Sequence, residues 1–136
     1  MKVVINSCYG GFSLSPLAVA KLAEKKGLTL HWYKSEHDGK RFVEKPVSEQ
    51  EALANTNLFG PHAYTSPNKE NDTWFDSRPE DRSDPDLVAV VEELGEKANG
   101  ACAELTIVEI PDDVQWHVEE YDGMEHIAED HRTWYA

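Results

Sequence analysis

Asp122-Gly123 constrains this chain more than any other two residues in it. Asp-Gly between two alternating segments marks a two-residue hairpin, because the turn that matches strand twist needs positive φ at both central positions. Val114–Tyr121 and Met124–Glu129 supply the alternation. So short a turn leaves one register: Tyr121 opposes Met124, Glu120 opposes Glu125, Glu119 opposes His126 and Val118 opposes Ile127. Side chains alternate along a strand. Val114, Trp116, Val118 and Ile127 therefore share one face, expected to meet the core, and His117, Glu119, Tyr121, Met124 and His126 share the other.

Upstream, the punctuation is equally local. Lys2–Asn6 is rich in β-branched residues and ends in the glycine-punctuated loop Cys8-Tyr9-Gly10-Gly11-Phe12. Ser15 is suited to cap a helix that Pro16 opens, and Leu14 and Val19 sit at staple spacing. Val19, Leu22 and Ala23 form its apolar stripe, Lys25 and Lys26 suit its negative end, and Gly27 suits its left-handed stop. Leu28–Tyr33 alternates as a strand, so strand, helix and strand suggest a βαβ unit if the two strands run parallel. His37-Asp38-Gly39-Lys40 reads as a turn, with Arg41-Phe42-Val43 pairing back. Ser48 and Glu51 have capping-box spacing for a short helix over 48–54.

Residues 55–83 show neither period and read as a long irregular insertion, with Phe59, Tyr64, Trp74 and Phe75 expected to dock on the core rather than form an interface. A second main helix starts at Ser83 or Asp84, runs on Leu87, Val91, Leu94 and Ala98, and ends at Gly100. Glu104–Ile110, apolar on both faces, is expected at the centre of a sheet. The expected fold is a single α+β domain over 1–136: a mixed sheet of four to six strands, two main helices on one face and a C-terminal β-hairpin.

The 136 residues carry 13 Lys and Arg against 26 Asp and Glu. Residues 1–47 have a net charge of +4 and residues 48–136 a net of −17, with ten carboxylates and no Lys or Arg between Ala98 and His131. Such a surface repels nucleic acid and anionic lipid, since phosphate binding needs clustered cations. It can attract a basic protein, or it can simply keep a small protein in solution. Two cysteines 94 positions apart form no disulfide framework, no apolar run suggests a membrane span, and the opening strand is too short for a signal-peptide core. The expected location is the cytoplasm.

Two constellations can carry chemistry. In the first, Gly10-Gly11 feeds a helix N-terminus, where free N–H groups and the helix dipole favour an anion. Ser13 and Ser15 add hydroxyls, Tyr9 and Phe12 can stack on a ring, and Arg132 among the tail aromatics can clamp an anion. The plainer alternative is a tight turn that needs its glycines only for backbone geometry. In the second, His117, Glu119 and His126 share the outer hairpin face, a set able to run acid–base chemistry or bind a divalent metal, or merely to form a solvated cross-strand pair. Cys8, at the end of a strand, is a weaker nucleophile candidate with no triad signature around it. Arg78 and Arg82 read as surface ion-pair partners.

The segment Lys2-Val3-Val4-Ile5-Asn6-Ser7-Cys8-Tyr9-Gly10-Gly11-Phe12-Ser13-Leu14-Ser15 resembles the opening of a group of small proteins encoded by tailed phages and prophages. Asp84-Pro85 through Glu92-Glu93-Leu94-Gly95 is similar to a second block of that group. So is Glu120-Tyr121-Asp122-Gly123 with Glu125, Glu129, His131, Arg132 and Trp134. The resemblance carries over no catalytic or binding residue. It implies a viral accessory protein acting in the bacterial host cytoplasm.

Three functions follow as expectations. The leading one is a phage accessory binding protein that counters host defence by sequestering a nucleotide-like or phosphate-bearing small molecule, with no cofactor and no metal. The second is an acidic inhibitor that imitates nucleic acid to bind a host protein. The third is a small metal-dependent or acid–base enzyme built on His117, Glu119 and His126. A homo-oligomer is compatible with each.

Overall fold

The computed structural model describes residues 1–54, 61–70 and 73–130. Eight strands and three helices give the α+β fold expected, ending in the expected hairpin. The strands are β1 (Lys2–Asn6), β2 (His31–His37), β3 (Phe42–Pro46), β4 (His62–Tyr64), β5 (Trp74–Phe75), β6 (Leu105–Glu109), β7 (Trp116–Tyr121) and β8 (Met124–Glu129). The helices are α1 (Pro16–Lys25), α2 (Glu49–Ala54) and α3 (Pro85–Leu94). Among the described residues the strands divide into a four-stranded sheet of order β3-β2-β4-β5 and two pairs, β1-β6 and β7-β8, every pairing antiparallel.

The helix starts follow their caps. Ser15 Oγ accepts the Ala18 N–H at 3.1 Å and Pro16 opens α1, while Leu14 and Val19 are both buried. Gly27 takes φ +71°, which lets the Leu28 N–H return to the Ala23 carbonyl at 2.9 Å. Leu28 is thereby spent on the cap, so β2 begins three residues later than its alternation suggests and runs on to the His37 turn. At α2 the Ser48 hydroxyl accepts the Glu51 N–H at 3.2 Å. Asp84 caps α3 through the Asp86 N–H.

Four expectations are corrected. β1 and β2 do not form a βαβ unit: β1 takes β6 as its partner and β2 takes β3 and β4, so α1 connects two sheets rather than crossing over one. β6 is not central, since among the described residues it pairs with β1 alone. Helix α3 stops at Gly95, not Gly100; a 3-10 turn over Gly95–Ala98 then carries Ala98 into the core. Part of the expected irregular insertion is ordered as β4 and β5, because β2 offers hydrogen bonds to β4, and β4 to β5, segments too short to show any period. Phe59 lies outside the described residues.

The core is formed where α1 and α3 pack on each other, on β1 and on the inner face of β2–β4: Val4, Val19, Leu22, Trp32, Leu87 and Val91 meet there. The hairpin is tied to it by polar groups. Asn6, fully buried, donates to the Cys8 and Gly123 carbonyls and accepts the Glu104 N–H. Glu125 accepts the Asn6 N–H at 2.8 Å and a two-pronged bond from Arg82 at 2.7 and 3.0 Å. The Arg82 guanidinium also lies 3.6 Å from the centre of the Phe12 ring. Among the described residues no helix is long and apolar enough to cross a membrane.

Candidate functional site

A cavity of roughly 660 Å³ opens where the N-terminal end of α1 meets the four-stranded sheet. That is the size of a small-molecule pocket. Its apolar wall is made by Leu17 and Val19 of α1, Trp32 of β2, Leu53 of α2 and Ala63 and Phe75 of the short strands. Aromatic rings at one side are already arranged for stacking: His62 and Trp74 lie parallel within 17°, their centres 5.0 Å apart. Trp74 keeps 47% of its surface exposed although its neighbours are packed. Glu44 fixes His62, whose Nε2 lies 2.7 Å from Glu44 Oε1. Burial pushes the Glu44 carboxyl up, but the His62 and Tyr64 hydrogen bonds outweigh it and hold the group below the usual glutamate range.

The other side is polar. Gly10, Ser13, Ser15, Arg78 and Lys97 line it. The Leu17 N–H, in the first turn of α1, has no intrahelical acceptor. Of the twelve described Lys and Arg residues, eight are ion-paired with carboxylates. Two of the remaining four, Arg78 and Lys97, border this cavity. Neither has a carboxylate partner among the described residues, and the carboxylate Glu96 lines the same cavity.

The first predicted constellation is thus divided. Gly10, Ser13 and Ser15 reach the cavity. The Ser15 hydroxyl, however, donates to the Lys97 carbonyl at 2.6 Å while it caps α1, so it holds the 3-10 turn in place instead of presenting a donor. Leu14 and Ser15 give their own N–H groups to the Ser77 and Ala98 carbonyls. Gly11, at φ +88°, turns the chain so that Phe12 enters the core beneath Arg82, and neither lines the cavity. Tyr9 stays exposed beside the hairpin tip. Arg132 lies outside the described residues. The sequence does not mark Trp32, His62, Trp74, Arg78 or Lys97 as site residues: it predicts Trp74 docked on the core and Arg78 in a surface ion pair, whereas Trp74 is half-exposed and Arg78 has no ion pair among the described residues. The signals available were the aromatic density of 55–83 and the isolation of Arg78 in an acidic region.

The second constellation is brought together as the register requires. Glu119 faces His126 across the hairpin. Glu119 Oε2 meets His126 Nε2 at 2.9 Å and Oε1 meets His117 Nε2 at 2.9 Å, while His117 Nδ1 contacts Asp130. Asp130, then Glu119, raise the His117 pKa by hydrogen bonding, and the two imidazoles lower that of Glu119. These side chains lie on an open face and do not line the cavity described above, and Glu119 spends an oxygen on each ring. Among the described residues no group of three or more His, Cys, Asp or Glu side chains is arranged to hold a metal ion. Cys8 Sγ is shared between Asn6 Oδ1 and the Cys102 carbonyl, with no imidazole beside it.

Five of the ten C-terminal carboxylates have internal partners. Asp112 bonds the N-terminal amine, Glu119 and Asp130 the histidines, Glu120 the Gly123 N–H, and Glu125 Arg82. Compared with models of known families, with curated proteins and with solved structures, the chain matches none.

Proposed function

We propose that this is a binding protein for a small phosphate-bearing, nucleotide-like molecule, held in the cavity at the start of α1. The observation that carries the reading is the pairing of a stacked ring pair, His62 and the half-exposed Trp74, with Arg78 and Lys97, cations without a carboxylate partner among the described residues, in one cavity. A nucleotide presents the matching parts, a planar ring and an anion. Stacking is sequence-tolerant and worth about 1–3 kcal/mol per ring, and charge-assisted hydrogen bonds to a phosphate about 1.5–3 kcal/mol each. The phage-like segments at both ends of the chain fit an accessory role in which such a molecule, a host-defence signal, is withdrawn by sequestration.

Thermal shift across a panel of mononucleotides, cyclic nucleotides and ADP-ribose-derived nucleotides tests the reading. A ligand that binds only the folded state raises its stability by about 2.7 kcal/mol at a hundred times Kd. At least one panel member is expected to stabilise the protein, and R78A/K97A to weaken its binding on the order of 10- to 100-fold. No stabilisation by any member would overturn the assignment.

A further inference from the structure

Cys8 and Cys102 are 94 positions apart in the chain, yet the fold brings their segments into contact. The Cys8 thiol donates to the Cys102 carbonyl oxygen at 3.1 Å. A carbonyl oxygen is about 2.4 Å from its own Cα, so the Cys8 sulfur lies within about 5.5 Å of the Cys102 Cα. Three features hold the segments there. The buried Asn6 uses one oxygen for both, meeting Cys8 Sγ at 3.3 Å and accepting the Glu104 N–H at 2.8 Å. The Ser7 N–H and hydroxyl both donate to the Glu104 carbonyl. Gly10 lies so close to Cys102 that a Cβ there would overlap the Cys102 carbonyl, and Gly100 stands in the same relation to Ser13. Both thiols are free, Cys102 exposed and Cys8 half-buried.

We infer that Cys8 and Cys102 are a reversible thiol–disulfide pair, oxidised by a small disulfide such as oxidised glutathione. The inference is independent of the binding role proposed above. Cys102, the accessible member, attacks first as its thiolate: a bond forms to one sulfur of the reagent, the reagent's S–S bond breaks, and one small thiolate leaves. Cys8 then attacks the Cys102 sulfur of the mixed disulfide and expels the second small thiolate. The two protons lost by the protein thiols are balanced by those the two leaving thiolates take up. Two protein thiols are oxidised by two electrons, and one small disulfide is reduced to two thiols. Rotation of the exposed Cys102 side chain about χ1 is the movement closure asks for. The bridge closes a long loop, the case in which a cross-link restrains the unfolded chain most. It also ties together the two segments whose Gly10, Ser13, Gly100 and Cys102 line the cavity, and so fixes that rim.

The test incubates the full chain in a mildly alkaline buffer of oxidised and reduced glutathione, then quenches with an alkylating agent and maps the cysteines by peptide mass spectrometry. A Cys8–Cys102 bridge within one chain is expected, with Tm raised by about 5–15 °C and restored by dithiothreitol. Cys8→Ser should stop at the glutathione adduct on Cys102, and Cys102→Ser should react on the order of 10-fold more slowly than the unaltered chain. Serine keeps a donor at either position, so both variants retain the local hydrogen bonding. In urea the same cysteines should close at least about 10-fold more slowly, because they are then separated by a flexible coil. An unaltered chain that stays reduced, stops at the mixed disulfide or cross-links to a second chain overturns the inference. So does closure as fast in urea as in the folded protein, or a bridge that fails to raise Tm.

Discussion

Glu125 shows at the scale of one residue how the fold selects among similar side chains. Glu120 and Glu125 face each other in the hairpin, yet Glu125 is buried and Glu120 is exposed. The difference is Arg82, whose guanidinium closes on both Glu125 oxygens. Removing one partner of a buried ion pair leaves the other charge unpaired, at a cost of about 3–5 kcal/mol. Glu125→Gln is therefore expected to lower the urea unfolding free energy by that order, and Glu120→Gln to change it little; equal effects would contradict the pairing. At the open face, protonation is the control. The raised His117 pKa means that its contribution is complete below the ordinary imidazole value of about 6.5 and is lost as pH rises through the elevated one. The lowered Glu119 pKa means that its contribution is complete above the ordinary carboxyl value of about 4.3 and is lost as pH falls through the depressed one. The hairpin should hold most firmly between those two ordinary values. Proton exchange of the β7–β8 amides followed against pH checks this, and His117→Gln should flatten the alkaline side of the profile.

Between elements, close backbone approach decides the arrangement. Gly123 sits at φ +89°, and a side chain there would collide with the Tyr9 carbonyl and the Gly11 nitrogen. The hairpin tip can rest on the Tyr9–Gly11 backbone only because Gly123 carries no Cβ, whereas a Cβ on Gly11 would meet nothing. Gly39 has a similar φ of +96° in open space. Gly123→Ala is expected to cost on the order of 2–4 kcal/mol and Gly39→Ala about 1 kcal/mol, so their difference in chemical denaturation measures the collision. Ser15 joins two elements with one hydroxyl, capping α1 and gripping the Lys97 carbonyl. Ser15→Ala should cost about 1 kcal/mol through the lost cap. It should also weaken nucleotide binding, because Lys97 would no longer be held beside the cavity.

For the molecule as a whole, charge is distributed by pairing more than by sequence half. The excess of carboxylates consumes most of the cations, which leaves Arg78 and Lys97 conspicuous at the cavity. Binding that uses exposed cations is screened by salt. Nucleotide affinity is accordingly expected to fall as potassium chloride rises from 0.05 to about 0.5 M, while affinity contributed by the stacked ring stays. Salt-independent affinity measured by calorimetry would remove the phosphate from the account.

What the sequence determined by itself is whatever closes within a few residues. The Asp122-Gly123 register, the Ser15 and Asp84 caps, the Gly27 stop and the His37–Lys40 turn are all satisfied by neighbours along the chain, and each appears where its residues predict. The Glu119–His126 contact was legible for the same reason, since a two-residue turn leaves it no alternative. Only the tertiary structure decided the partners of β1, the strands β4 and β5, the burial of Glu125 and the assembly of the cavity. Their hydrogen bonds and contacts close between residues tens of positions apart. A two-residue strand such as Trp74-Phe75 has no period to read, and Trp32 looks like any core aromatic until the cavity it lines is assembled.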